Sequence, residues 1–236
     1  MRIILTNDDG YTSRGLHLLR NELVKYGEVI VVAPKTHQSA KSTSMTLAEI
    51  EVEKLDENLY TVNGTPADCV QFALGYFNDI DLVVSGCNNG YNLGMDTVYS
   101  GTIGACVQAS LGGVPSIAFS CRSDMFFDQI EKETDLVLRY VGENNLLSPD
   151  YIINVNFQHP DFSRYRGIRM TELFRTRFKY YAETTDGFHF INRRDLPKTD
   201  DISTDLGAIR NGYISITPIQ NNLFNAELLR KLDKRI

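Results

Sequence analysis

No stretch of this chain comes near the roughly 18 consecutive apolar residues that a membrane-spanning helix needs. Positive charge is also short: 24 Lys and Arg stand against 30 Asp and Glu, a formal net charge of −6. That balance argues against a general nucleic-acid-binding surface. An acidic protein that handles an anionic substrate must find positive charge locally, from a metal ion or a helix N-terminus. Cysteine is sparse. Cys69, Cys87, Cys106 and Cys121 form no C-x-x-C pair and have no neighbours that suggest a zinc site, so they read as small buried hydrophobes. Residues 1–8 hold one basic residue and a short apolar run before acid intervenes, which is not a secretory signal, so a cytoplasmic setting is expected. Asn63-Gly64-Thr65 fits the glycosylation pattern but is discounted on the same ground. Internal repeats and low-complexity segments are missing. The glycine-rich stretch at 88–94 has neither G-x-G-x-x-G nor Walker spacing, which gives no support to dinucleotide or triphosphate binding.

What remains is ordinary globular composition, 42% hydrophobic and 23% charged over 236 residues, enough for one α/β domain with a sizeable core. RIILT at 2–6 is a short β-branched run stopped by Asn-Asp-Asp-Gly. Leu16, Leu19 and Leu23 recur at helical spacing within 15–26, and EVIVVA at 28–33 is a second apolar strand ended by Pro34. Strand, helix and strand in that order imply a parallel, right-handed crossover. The alternation over 45–62 predicts a β-excursion, and Pro66 opens a helix reaching Tyr76. Strands at 81–85, 116–120 and 151–157 alternate with helices at 101–111 and 125–141. This is the pattern of a doubly wound, mostly parallel sheet. After about residue 160 the character changes. Residues 169–190, rich in Phe, Tyr and Arg, predict a hairpin turning at Asp186-Gly187, and 195–205 is polar and turn-like. A last strand at 212–219 precedes a basic helical tail. The hairpin is too long for a connector, which suggests packing on another subunit.

Ligands of doubly wound sheets bind at the carboxyl ends of the strands. There the chain places Asn7, Asp8 and Asp9 after the first strand, His37, Gln38 and Ser39 after the second, and Asn88 and Asn89 after the strand at 81–85. Carboxylate, hydroxyl and amide oxygens together suit a hard cation such as Mg²⁺, Mn²⁺ or Ca²⁺. Alone, Asp-Asp-Gly reads better as a turn or as a cap on the next helix. Ser100-Gly101-Thr102 precedes the alanine-rich helix, where successive backbone N–H groups form an anion cradle and Gly101 permits close approach. An ordinary N-cap is the plainer reading of that segment. His37 lies near the proposed site and could assist proton transfer, although a loop histidine is more often only solvated. Arg175, Arg177 and Lys179 share one strand face, an arrangement usually left to solvent.

These motifs together resemble the survival protein E (SurE) family of nucleotidases: ILTNDDGYTSRGL at 4–16, APKTHQSAKS at 33–42, VNGTPADCV at 62–70, VVSGCNNGYNLGMDTVYSGTIGA at 83–105 and STDLGAIRNGYISITPI at 203–219. Long motifs in the right order cover nearly the whole chain. The resemblance implies a Rossmann-like α/β domain over 1–236, with a core of about 1–160 and a C-terminal hairpin and tail used in oligomerisation. It implies metal-dependent hydrolysis of nucleoside 5′- and 3′-monophosphates, and in some members of short polyphosphate. One divalent cation per subunit, Mg²⁺ or Mn²⁺, would be held by Asp8, Asp9, Ser39 and Asn88, with Asp8 and Asp9 catalytic. Asn92, Ser100, Gly101 and Thr102 would bind the phosphate. Homodimers or homotetramers with C-terminal exchange are the implied assembly. Cys87, Gln38 and Asn89 depart from the family's commoner residues, which bears on substrate preference and leaves the metal set intact.

Two mechanisms stay open at this level: a water activated at the cation, or an aspartate acting as nucleophile. A haloacid-dehalogenase-type phosphatase needs aspartates two apart, and the position two before Asp9 is Asn7. The alternative from another class is a nucleotide-binding regulatory module without turnover.

Overall fold

Ile3, Ile4 and Leu5 decide the layering. They sit in the first strand, β1 (Arg2–Thr6), and are fully buried, yet they belong to two different cores. Ile3 and Leu5 pack with Leu16, Leu19 and Leu23 on one side of the sheet, Ile4 with Val70, Ala73 and Ala105 on the other. A strand covered on both faces reads as a continuous apolar run, and the same alternation continues in β2 (Glu28–Pro34).

The computed structural model describes residues 1–122, 127–159, 161, 165–175, 180–185, 189–194 and 198–221, with 180–185 and 189–194 described as backbone. The first helix, α1 (Arg14–Leu23), ends short of Tyr26, and β2 runs parallel to β1. The expected β-excursion is a hairpin of β3 (Val52–Asp56) and β4 (Leu59–Val62); residues 45–51 are not strand. Next come α2 (Pro66–Tyr76), β5 (Leu82–Asn89), a 3-10 turn (Gly94–Tyr99), α3 (Gly101–Leu111), β6 (Ser116–Cys121), α4 (Asp128–Glu143) and β7 (Tyr151–Asn156). The N-terminal half of α2 is fixed by its sequence: Pro66 stands in the first turn, and Thr65 and Asp68 form a reciprocal capping box.

After β7 the chain makes β8 (Ile168–Met170), β9 (Tyr180–Thr185), β10 (His189–Arg194), α5 (Asp205–Arg210) and β11 (Ile214–Gln220). The large sheet has nine strands in the order β3-β4-β2-β1-β5-β6-β7-β11-β8. The six from β4 to β7 are parallel; β3 runs against β4, and β11 runs against β7 but parallel to β8. The expectation for the C-terminal part needs one correction and one addition. The antiparallel hairpin is β9–β10, later than 169–190, because Ile168–Met170 pairs with β11 in the main sheet instead. Just past the polar, turn-like stretch, Asp205 opens a helix capped by Thr204, in a segment to which the sequence had assigned no element. Its six residues are too few to show a 3.6-residue period. The turn at Asp186-Gly187, Arg177, Lys179, the start of the helix expected at 125 and the basic tail lie outside the described residues.

All four cysteines are buried and form no disulfide with one another, as their apolar surroundings predicted. Cys69 lies in α2, Cys87 in β5, Cys106 in α3 and Cys121 in β6. No described helix is long and apolar enough to cross a membrane. The chain leaves β1 toward β2 on one side and returns to β5 on the other, so the switch in strand order falls between β1 and β5. In open α/β sheets ligands bind at such a point, outside the carboxyl ends of the two strands.

Candidate active site

The turn after β1 is made by Asn7, which frees both aspartates. Its amide donates to the Gly10 carbonyl at 3.0 Å and to the Ser13 hydroxyl at 2.8 Å, and its oxygen accepts from the Gly10 N–H at 3.2 Å. Gly10 takes φ +98°, a conformation that costs a side chain dearly. Ser13 then caps α1, accepting from Leu16 N–H at 3.2 Å. The turn and the cap, the plainer readings of Asp-Asp-Gly, are therefore supplied by other residues.

Asp8 is 3% exposed. One carboxylate oxygen accepts the Thr102 hydroxyl at 2.8 Å. Burial pushes its carboxyl above the ordinary 3.8; the Thr102 hydrogen bond opposes that push and the neighbouring Asp9 adds to it. Asp9 accepts the Asn89 N–H at 2.9 Å and lies 3.5 Å from Nδ1 of the exposed His37. The strand β5 continues through Asn88 and Asn89, further than the apolar run at 81–85 suggested, so both asparagines are strand residues beside β1. Asn88 donates its amide to the Gly90 carbonyl at 2.8 Å, which leaves its own oxygen as the acceptor to offer. The segment after β2 is drawn to the same place, since Gln38 N–H bonds the Asp8 carbonyl at 2.7 Å, and exposed Ser39 follows directly.

Opposite Asp8 stands the start of α3. Ser100 is its N-cap, accepting from Ile103 N–H at 3.2 Å, so the plainer reading of that residue holds. A Cβ on Gly101 would stand 2.9 Å from the Asp8 Cβ and 3.1 Å from its carboxylate oxygen, which only glycine permits. Thr102 was expected to bind phosphate; here its hydroxyl is given to Asp8. Asn92 lies deeper, 5% exposed, with its amide donating to Ser120 at 2.8 Å. Two contributors escaped the sequence reading. Thr102 as the partner of Asp8 joins residues 94 apart, which no local pattern announces. Asp205, fully buried, accepts from the N–H groups of Gly94 at 2.6 Å and Phe174 at 2.9 Å. A Thr-Asp pair at a helix start was its one available signal.

The donor set fits a hard cation. Asp8, Asp9, Ser39 and Asn88 offer only oxygen, and buried Asp8 has no cationic side chain bonded to it among the described residues. A buried carboxylate in that condition calls for a positive partner. Among the described residues no group of three or more His, Cys, Asp or Glu could hold a metal, so neutral oxygens must complete any cation shell here.

The architecture is that of a doubly wound α/β protein, with paired carboxylates at its switch point facing a helix N-terminus. The family model "Survival protein SurE" matches residues 3–180, and the chain belongs to that family. It is 40% identical to "5'-nucleotidase SurE" of Haemophilus influenzae over 94% of this chain and 92% of that protein. It is 37% identical to "5'-nucleotidase SurE" of Actinobacillus succinogenes, over 98% and 97% respectively. The crystal structure of the SurE protein from Aquifex aeolicus superposes with a TM-score of 0.87 at 32% identity, covering 100% of this chain and 99% of that one.

Proposed function

We propose that this protein is a metal-dependent phosphomonoesterase of the 5′-nucleotidase class, hydrolysing nucleoside 5′- and 3′-monophosphates to nucleoside and phosphate. Short polyphosphate is a further expected substrate. The hydrogen bond from Thr102 to Asp8 carries the reading, because it ties a carboxylate pair to the first turn of α3. In this reading Asp8, Asp9, Ser39 and Asn88 hold one divalent cation, Mg²⁺ or Mn²⁺. When bound, that ion polarises phosphoryl oxygens and makes water a better nucleophile.

The remaining roles belong to the chain. Backbone N–H groups of Gly101 and Thr102, with Ser100 and Asn92, take the phosphate and stabilise its developing negative charge. The carboxylates align the attacking water. As its oxygen bonds to phosphorus, the ester P–O bond breaks and a proton passes to the departing nucleoside oxygen. In this proposal His37 relays it, a role supported by its 3.5 Å distance from Asp9. Homodimers or homotetramers with C-terminal exchange belong to the same proposal, supported by the β9–β10 hairpin, which forms its own two-stranded sheet. A cytoplasmic setting is supported by four cysteines that form no disulfide with one another.

The test is phosphate release from 5′- and 3′-nucleoside monophosphates with Mn²⁺, with Mg²⁺ and with chelator. Release that needs metal and vanishes in Asp9→Asn is the expected result. A folded protein that binds nucleotide and releases nothing under any cation is a regulatory binding module instead.

A further inference from the structure

Two asparagines near the end of β7 do something that strand residues have no structural need to do. Asn154 and Asn156 are two apart, so their side chains share one face of the sheet, and both are fully buried. Each donates its amide N–H to the backbone carbonyl of Asn92 at 2.9 Å. Asn156 also accepts the Asn92 backbone N–H at 3.0 Å. Its side-chain amide thus meets both backbone groups of one residue, as a neighbouring strand would. The residue so held lies between Asn88, in the expected metal set, and Ser100, at the anion cradle.

The cost of this arrangement argues for a purpose. The Asn154 side-chain oxygen is buried without a hydrogen-bond partner among the described residues. Such an orphan acceptor typically costs about 1–3 kcal/mol, which an apolar residue of the same shape would not incur. Stability alone therefore favours leucine at 154.

We propose that Asn154 and Asn156 are positioning residues for the catalytic loop. By clamping the Asn92 backbone they hold the segment from Asn88 to Gly94 in register with Asp8 and Asp9. The roles of Asn88 and Asn92 rest on the proposed nucleotidase reading; the clamp itself is a matter of hydrogen bonds.

Asn154→Leu separates a positioning role from a packing role, because it removes one donor to Asn92 together with the orphan oxygen. The variant is expected to melt at or above the wild-type temperature while Mn²⁺ affinity, measured by calorimetry, and kcat each fall about 10–100-fold, the usual effect of losing a residue that orients a ligand. Asn156→Asp keeps the acceptor for Asn92 N–H but sets a carboxylate against the Asn92 carbonyl, and should show the same loss. Amide exchange in the 88–94 segment should quicken in both. Wild-type Mn²⁺ affinity, kcat and exchange in the folded variants overturn the proposal, as does a loss that merely tracks a lower melting temperature. A wild-type protein without turnover would sink the nucleotidase reading, and the exchange and calorimetry would still decide the clamp.

Discussion

The hydroxyl of Thr102 and the carboxylate of Asp8 meet at 2.8 Å, joining the first turn of α3 to the end of β1. Thr102 gives its one hydroxyl proton to this contact, so the orientation of Asp8 depends on it. Thr102→Val keeps the shape and removes the donor. Turnover is expected to fall about 10–100-fold at saturating metal. Stability should drop by about 1–3 kcal/mol, the cost of leaving a buried acceptor unpaired. Phosphate release and a thermal melt on the same sample check both; unchanged turnover would sever Thr102 from the site.

Gly101 is a separate case, since the position lies in a helix where alanine is intrinsically favoured by about 1 kcal/mol. An added methyl would nevertheless meet Asp8 at 2.9 Å and Pro66 at 3.2 Å. Gly101→Ala should therefore retain its helix content by circular dichroism and lose most of its activity. An active Gly101→Ala protein would show that the approach of α3 to Asp8 is not needed for turnover.

Asp68 fastens the loop at 44–46 to the start of α2. Its carboxylate accepts from Thr46 N–H at 2.9 Å, Thr46 hydroxyl at 2.7 Å and Thr65 N–H at 2.8 Å. Burial pushes the group up, but these hydrogen bonds prevail and hold it below the ordinary 3.8. With a depressed folded value, its contribution is present above 3.8 and is lost as pH falls through the lower folded one. Asp68→Ala should cost about 1–2 kcal/mol at neutral pH for the cap alone. Melting temperatures of the two proteins should converge in acid, and a constant gap down to the acid limit would contradict the assignment.

Glu133 carries the opposite sign. Buried on α4, it accepts from Gln158 at 2.6 Å, and its second oxygen has no hydrogen-bond partner among the described residues. Burial raises its carboxyl above the ordinary 4.5, with the Gln158 hydrogen bond opposing. A raised folded value means the stabilising contribution is complete below 4.5 and is lost as pH rises through the folded value. Glu133→Gln removes the charge and offers a donor to the unpaired Gln158 oxygen. The variant should be more stable than wild type at pH 7, on the order of 1 kcal/mol, and the gain should shrink toward pH 4. Urea unfolding at the two pH values decides it; a variant weaker at pH 7 would contradict the account.

Much of this was legible in the chain because the strands are covered on both faces. Ile3 to Leu5 and Val29 to Ala33 stand out as apolar runs bounded by breakers, and α3 is bounded by Ser100 and Gly112 as read. The carboxylates and strand-end oxygens followed from where such runs stop. Residues whose purpose lies in another part of the sequence stayed hidden. Asn154 and Asn156 looked like ordinary strand positions because their partner, Asn92, is more than sixty residues away. Asn7 looked like part of a ligand cluster, yet it builds the turn that lets Asp8 and Asp9 act as one. The short elements β8 and α5 fell below the length at which periodicity speaks.

The four thiols offer a built-in clock. Burial raises the thiols of Cys69 and Cys87, and pushes Cys106 up to about 12, so in the closed protein they are poor nucleophiles toward a labelling reagent. Cys87 and Cys121 face one core, Cys69 another and Cys106 a third. The order in which a thiol reagent consumes them therefore records which layer of the sandwich breathes first, without a single engineered probe.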